Sequence, residues 1–176
     1  MRRKMPVSAA VVLVAGLAAC TGKDRYNPGS PLGTFRVSAA TTGNTCGDDN
    51  APPSPWLFDV RLSRERSTLY WIQGGAPVSG PIDDNGHARL TDFDQKTLHE
   101  ADARRGVGFC AVSRVDTFDA TLENGADAGV DAFTGTLVYR FAATEGSDCA
   151  DVVEAGTFGA LPCEIHFDLT GKRAPR

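Results

Sequence analysis

The sequence predicts an all-β protein, either an antiparallel β-sandwich or an up-and-down barrel of seven to nine strands. Apolar and polar residues alternate with a period of two in several segments, which is typical of half-buried antiparallel strands. Turn-forming residues separate these segments. The 19 glycines and 10 prolines exclude a coiled coil, and the 41% hydrophobic content excludes a disordered chain.

The alternation is clearest in three segments. Phe58, Val60 and Leu62 share one parity in the first segment. In the second, positions 133, 135, 137, 139 and 141 share one parity, and all of them but the glycine at 135 are large and apolar. In the third, Cys163 is followed by further apolar residues at 165, 167 and 169. Composition predicts further strands at 34–40, 68–73, 78–83, 87–93 and 109–123.

Turn signals predict how these strands are joined. Asn85-Gly86 predicts a type I′ hairpin between 78–83 and 87–93, because both of its central residues tolerate positive φ. The run 124–129 predicts a longer hairpin loop. Residues 94–106 contain one large apolar residue, Leu98. We therefore expect a loop there, with a short helix or an edge strand as the alternatives.

The N-terminus has the organisation of an export signal. Arg2, Arg3 and Lys4 precede the uncharged segment 5–19, which is too short to span a membrane. The sequence Leu17-Ala18-Ala19-Cys20 resembles the lipobox of bacterial lipoproteins. An ordinary secretory signal that happens to contain a cysteine is the alternative.

The lipobox resemblance implies a membrane anchor. It implies cleavage before Cys20 and acylation of that residue, and two or more acyl chains anchor a protein stably. Thr21 stands where an aspartate commonly signals retention in the inner membrane, so the resemblance implies the outer membrane. The expected divisions are a signal peptide at 1–19, the lipidated cysteine and a flexible tether at 20–33, a β-domain at 34–173 and a tail at 174–176.

Charge limits the partners of such a protein. Loss of the three basic residues of the signal leaves 15 basic and 22 acidic residues, a net charge of −7. An acidic body is repelled by nucleic acid and by anionic lipid headgroups. We therefore expect no nucleic-acid partner, and acyl chains rather than charge as the link to the membrane.

Two resemblances concern the domain itself. Gly33-Thr34-Phe35 opens the first strand and Lys172-Arg173 follows the last, which resembles the Gly-x-Trp start and closing Arg of lipocalins, with Phe in place of Trp. The segments GTFRVSA, STLYW, FTGTLVYRF and LPCEIHFDL resemble small β-rich bacterial lipoproteins that have no assigned function. The lipocalin resemblance implies a barrel that carries a small apolar ligand.

The five cysteines divide into one plus four. With Cys20 lipidated, Cys46, Cys110, Cys149 and Cys163 remain for two disulfides in an oxidising compartment. Strand directions place all four at one end of the sheet. We favour Cys46–Cys110 with Cys149–Cys163, and Cys46–Cys163 with Cys110–Cys149 fits a barrel nearly as well. A zinc site is disfavoured because no C-x2-C pair is present.

Candidate chemistry is sparse. Glu164, His166 and Asp168 project from one face of a strand, as a metal or acid–base group would, although a solvated outer face is the simpler interpretation. The chain contains no G-x-S-x-G, H-E-x-x-H, P-loop or dinucleotide motif, and no cofactor is expected. We expect a non-enzymatic, lipid-anchored binding or structural domain with a protein or small-molecule partner. A carrier of a small apolar ligand is the first alternative, and a hydrolase using His166 is the second.

Overall fold

Eight antiparallel strands wind into one sheet in this computed structural model, which describes residues 24–123 and 129–175. The predicted signal peptide, Cys20 and residues 124–128 lie outside the described residues. The only helical elements in the described part are a 3-10 turn, Asp48–Asn50, and the short helix α1, Ala150–Glu154. The strands are β1 (Ser30–Asn44), β2 (Trp56–Glu65), β3 (Thr68–Ile72), β4 (Val78–Pro81), β5 (His87–His99), β6 (Cys110–Leu122), β7 (Ala132–Ala143) and β8 (Cys163–Arg173).

The sheet is an up-and-down meander that nearly closes into a barrel. The strand order is β4-β3-β2-β1-β8-β7-β6-β5, so the first strand pairs with the last and each remaining neighbour is a chain neighbour. β4 and β5 form the two edges and meet through one bridge, Ile82 with Ala88. The predicted all-β class is confirmed, and of the two architectures considered the protein adopts the barrel.

The predicted strands are all present, and several of them run further than expected. β1 begins at Ser30 and continues to Asn44, and β8 continues to Arg173. β5 extends to His99, so the first half of segment 94–106 is an edge strand, which was one of the alternatives. A tight turn then follows, in which Asp102 and Val107 exchange backbone hydrogen bonds.

The hairpin turn before β5 is not of type I′. A type I′ turn requires positive φ at both central residues, but only Gly86, at 83°, has it. The amide of Gly86 donates to the carbonyl of Asp83, and the amide of Asp83 donates to the carbonyl of His87, which makes a three-residue loop. The Asp83 carboxylate accepts from the amides of Asn85 and His87 at 2.9 Å each. These bonds favour the longer loop.

The barrel interior is filled by aromatic and aliphatic side chains. Phe133 is fully buried and its ring lies 5.6 Å from that of Phe35 and 5.9 Å from that of Phe118, measured between centroids. The same ring covers Gly171, where an added Cβ would lie 2.1 Å from it. Phe167 and Leu62 are also almost fully buried. This part of the interior is a packed core.

The pairing of β1 with β8 is stabilised, at the end of the barrel opposite the cysteines, by the residues of the lipocalin resemblance. The Arg173 Cζ atom lies 5.6 Å from the Phe35 ring centroid, and its Nε donates to the Val130 carbonyl at 2.8 Å. Gly33 has a φ of 146°, and a Cβ there would lie 2.6 Å from the Arg173 side chain. A glycine is therefore required beside Arg173.

Part of the predicted tether belongs to the folded domain. Gly29 has a φ of 71°, and a Cβ there would lie 2.6 Å from the Arg64 carbonyl oxygen, so the chain turns tightly against β2. The Ser63 hydroxyl then donates to the Pro28 carbonyl. The domain therefore begins before the expected boundary at residue 34.

The disulfides join Cys46 to Cys163 and Cys110 to Cys149. All four cysteines lie at one end of the barrel, as predicted, and we call this end the upper end. The pairing that we favoured from the sequence is wrong. Cys46 follows β1 and Cys163 begins β8, and these two strands are hydrogen-bonded neighbours. Cys110 begins β6 and Cys149 follows β7, its neighbour on the other side. Strand adjacency selects the second pairing.

Candidate functional site

The polar residues predicted on β8 lie on the outer face of the barrel. The Glu164 carboxylate accepts a bond from Arg140 Nε at 2.7 Å and lies 2.9 Å from His166 Nε2. The hydrogen bond from Arg140 and then that from His166 lower the pKa of Glu164. Asp168 is exposed two residues further along the same face. Arg140, Glu164 and His166 thus form a solvent-facing hydrogen-bonded chain on an open strand surface.

A more enclosed site lies where β4 and β5 separate, and we call it the seam cleft. Below it, β4 touches β5 so closely that a Cβ on Gly80 would lie 2.1 Å from the Arg89 carbonyl oxygen. Nearer the upper end of the barrel, the residues that precede β4 do not pair with β5, and a cleft of about 390 Å³ lies between them. Its lining comprises Trp71, Gln73, Gly75, Ala76, Pro77, Val78, Leu90, Asp92, Arg114, Asp116, Phe118, Leu137 and Tyr139.

A charged pair on β6 projects into this cleft. Arg114 and Asp116 are two residues apart on one strand, so their side chains share the inner face. Arg114 Nε donates to Asp116 Oδ1 at 2.7 Å, and Nη2 donates to Oδ2, which makes the pair bidentate. The hydrogen bond to Asp116 raises the pKa of Arg114. The guanidinium also lies over the Tyr139 ring, with Cζ 4.5 Å from the centroid.

Acidic side chains exceed basic ones on this wall. Asp92 of β5 lies directly opposite Asp116 in the sheet, and Asp94 lies opposite Arg114. Directly opposed like charges destabilise a sheet. Burial, followed by the repulsion from Asp92 and Asp94, raises the pKa of Asp116 even though Arg114 opposes the shift. One guanidinium is therefore shared among three carboxylates.

Aromatic rings form the other surfaces of the cleft. The Trp71 ring lies 4.5 Å from that of Phe118, and its indole Nε1 donates to Gln73 Oε1 at 3.3 Å. Burial, and next to it the Asp116 charge, raises the pKa of Tyr139 to about 12, so this phenol keeps its proton at neutral pH. The site therefore offers aromatic faces, a phenol, and fixed charges with an acidic excess.

The sequence contains a signal for this cleft in the inward-facing residues of β6 and β5. The inward parity of β6 runs Cys110, Val112, Arg114, Asp116, Phe118, and the two charged residues interrupt a set that is otherwise apolar. Asp92 likewise follows Ala88 and Leu90 at inward positions of β5. Charged residues at inward positions of a barrel strand are the pattern that predicts a site.

Comparisons with protein-family models, with curated proteins and with solved structures find no match to this chain. Within residues 24–123 and 129–175 no helix has the length and apolarity to cross a membrane. In the same residues no three His, Cys, Asp or Glu side chains are grouped so that they would hold a metal ion. The seam cleft, with its aromatic faces and inward charges, is the candidate site.

Proposed function

We propose that this protein is a non-enzymatic binding protein attached to the outer membrane through acyl chains on Cys20, and that the seam cleft holds its ligand. The lipobox resemblance supports the anchor. The packed disulfide-linked barrel, whose polar inward-facing side chains meet at one opening, supports the binding role.

One observation carries the assignment of the site. Arg114 and Asp116 occupy inward positions at which the neighbouring β6 residues are buried and apolar. Placing charges there costs stability, and well-packed apolar residues of similar size would serve folding as well or better. Side chains that a fold does not need, gathered around an opening, are typical of a binding site.

The charge balance favours a cationic ligand. Arg114 is already bonded to Asp116, which leaves the Asp92 carboxylate without a cation of its own in the lining. An ammonium or guanidinium group placed between Asp92 and Asp116 would relieve their repulsion. The Trp71 ring offers a face for cation–π contact with the same group. We infer that the ligand is a small organic cation with an apolar portion.

The two alternative functions receive less support. Carriage of an apolar ligand inside the barrel needs an open interior, whereas Phe35, Phe133 and Phe167 fill it. Hydrolysis by His166 needs groups that converge in a cleft, whereas Glu164 and His166 share an exposed strand face. Both alternatives would leave the charges of the seam cleft without a purpose.

Titration of the purified protein tests the cleft. Spermidine and L-arginine amide serve as cationic probes, with glucose and citrate as neutral and anionic controls of similar size. We expect binding of the cations to change the fluorescence of Trp71. The substitution Asp92→Asn should weaken the affinity for these cations at least tenfold. Asp59→Asn removes an equal charge from the outer face, where Asp59 pairs with Arg36, and should leave binding unchanged. Preference for citrate or glucose would contradict the proposed ligand class.

The anchor is tested separately. Cys20→Ser in the full chain should abolish labelling by a radioactive fatty acid and release the protein from the membrane fraction. Thr21→Asp should keep the label and move the protein to the inner membrane. Labelling that persists in Cys20→Ser would overturn the lipid anchor and leave the cleft assignment untouched.

A further inference from the structure

β5 has a long edge that no other strand covers. Twelve of its 13 residues pair with β6 between His87 and His99, with a bulge at Leu98. On the opposite side its one described backbone pairing is the bridge from Ala88 to Ile82, the residue that follows the four-residue β4. Residues 91–97 are exposed, and in the described part of the chain no strand pairs with their second edge. We call this stretch the free edge.

The backbone groups on the free edge can be assigned. The His87 carbonyl accepts from Asp83 on the β4 side. Because backbone groups alternate in direction along a strand, Thr91, Phe93, Gln95 and Thr97 also point their amides and carbonyls away from β6. The Gln95 amide is bonded only to the neighbouring Asp94 carboxylate, at 2.9 Å. The free edge thus presents a row of groups ready to pair with another strand.

We propose that two copies of this chain associate by antiparallel pairing of their free edges, with a two-fold axis at Gln95. A two-fold axis perpendicular to the sheet keeps the inner face of one copy level with the inner face of the other. Such an axis passes between two equivalent residues, so one residue at the centre must lie directly opposite the same residue of the second copy. Gln95 would exchange two hydrogen bonds with its copy. Phe93 and Thr97 would do the same across the axis, giving about six bonds in all.

The charges of the free edge select this register. Asp92, Asp94 and Lys96 share the inner face of β5. Centring on residue 92, 93 or 94 places aspartates opposite each other, and centring on residue 96 opposes two lysines. Centring on Gln95 sets Asp94 against Lys96 of the second copy twice, with no like-charged pair. The strand is therefore self-complementary in one antiparallel register.

This charge pattern also explains why the edge does not aggregate. Charged residues on an edge normally block pairing with other strands. Here they oppose the symmetric registers centred on residues 92, 93, 94 and 96, and the pairing of two copies uses both of their free edges. Phe93, which is 62% exposed on the outer face, would come beside Thr97 of the second copy. The association is closed and two-fold.

Sedimentation of the full chain over a range of concentrations tests the proposal. We expect a reversible dimer. Lys96→Asp, which lies opposite Val112 within its own chain, should weaken association at least tenfold, and so should Asp94→Lys. The double variant Asp94→Lys/Lys96→Asp restores both unlike pairs and should return the dissociation constant to within about threefold of the original. A monomer at every concentration, or a dimer indifferent to these changes, would overturn the proposal.

Cross-linking tests the register. Gln95→Cys brings two thiols to a hydrogen-bonded antiparallel pair, whose Cα separation of about 5.5 Å suits a disulfide. Oxidation should yield a covalent dimer on a non-reducing gel. Thr134→Cys is the matched control, because Thr134 is exposed on β7 away from the edge. Equal dimer from both variants would refute the pairing. Because neither Gln95 nor Thr134 lines the seam cleft, failure of the cross-link would not bear on the proposed ligand.

Discussion

The barrel could close at two places, between β1 and β8 and between β4 and β5, and we call these places its two seams. Chain connectivity suggests that the β4–β5 seam is the tighter one, but the β1–β8 seam is closed and the β4–β5 seam is open. β1 and β8 lie at the two ends of the described chain, yet they pair along nine residues of each strand and are fastened by Cys46–Cys163. β4 and β5 are joined by a tight turn, yet they share one bridge and then separate. Short connections bring strands together, but closure is decided by strand length and by the side chains that face inward.

The difference separates stability from function. Beneath the closed seam the inward side chains are Phe35, Val37 and Phe167, all buried. Beside the open seam they are Asp92, Arg114 and Asp116, and β4 is too short to cover them. The closed seam lets the barrel tolerate the cost of the polar cleft. This division predicts that substitutions at the two seams have effects of different kind and size.

Loss of the Cys46–Cys163 disulfide should have the largest effect. It closes a loop of 117 residues, which corresponds to about 5 kcal/mol in the chain-entropy description. Cys110–Cys149 closes a loop of 39 residues and corresponds to about 4 kcal/mol. Urea unfolding of the two paired Cys→Ser variants measures both. A smaller loss for the Cys46–Cys163 pair than for the Cys110–Cys149 pair would contradict the assigned importance of the closed seam.

Truncation of the central aromatic ring comes next. Phe133→Ala should lower the free energy of unfolding by about 3–5 kcal/mol, because a fully buried ring leaves a cavity among other rings. Phe93→Ala is the matched control on the free edge and should stay within about 0.5 kcal/mol. Thermal and urea unfolding give both values. Comparable losses at the two positions would mean that Phe93 is covered in the protein as it exists in solution.

Removal of the cleft cation should have an intermediate effect. Arg114→Met leaves the partly buried Asp116 without its bidentate partner and should cost about 1–3 kcal/mol. Arg36→Met breaks an exposed pair with Asp59 and should cost under about 1 kcal/mol. Urea unfolding at pH 7 distinguishes them. Equal costs would show that the seam cleft is no less solvated than the outer surface.

The smallest effect is a difference in pH dependence between the inner and outer carboxylates. The pKa of Asp116 is raised above its ordinary 3.8, so the native state binds this proton more tightly than the unfolded state does. The stability that this group contributes is therefore lost as the pH rises from the unfolded pKa through the native pKa. The pKa of Glu164 is lowered from 4.5, so its contribution is lost as pH falls through the native value. Unfolding of Asp116→Asn and Glu164→Gln between pH 3 and pH 7, each compared with the unchanged protein, should give slopes of opposite sign. Slopes of the same sign would refute the claim that the pKa values of Asp116 and Glu164 are shifted in opposite directions.

Much of the architecture was readable from local pattern. Period-two alternation located three of the strands, because an antiparallel strand with one buried face displays its orientation residue by residue, and composition located the other five. The clustering of the four cysteines also followed from strand direction. The type of the β4–β5 turn did not, because the Asp83 side chain, rather than the Asn-Gly pair, decides its hydrogen bonding.

The remaining features depended on which strands are neighbours. The disulfide pairing required the adjacency of β1 with β8, and several pairings were compatible with the same strand order along the chain. The seam cleft required β4 to be short and to diverge from β5 above Gly80. Alternation and cysteine count are properties of the chain itself, and alternation determined the class of fold, while the N-terminal pattern gave only a predicted destination. Closure of one seam arises from contacts between residues more than a hundred positions apart, and the open seam gathers side chains from β3, β5, β6 and β7, so only the tertiary structure decided them.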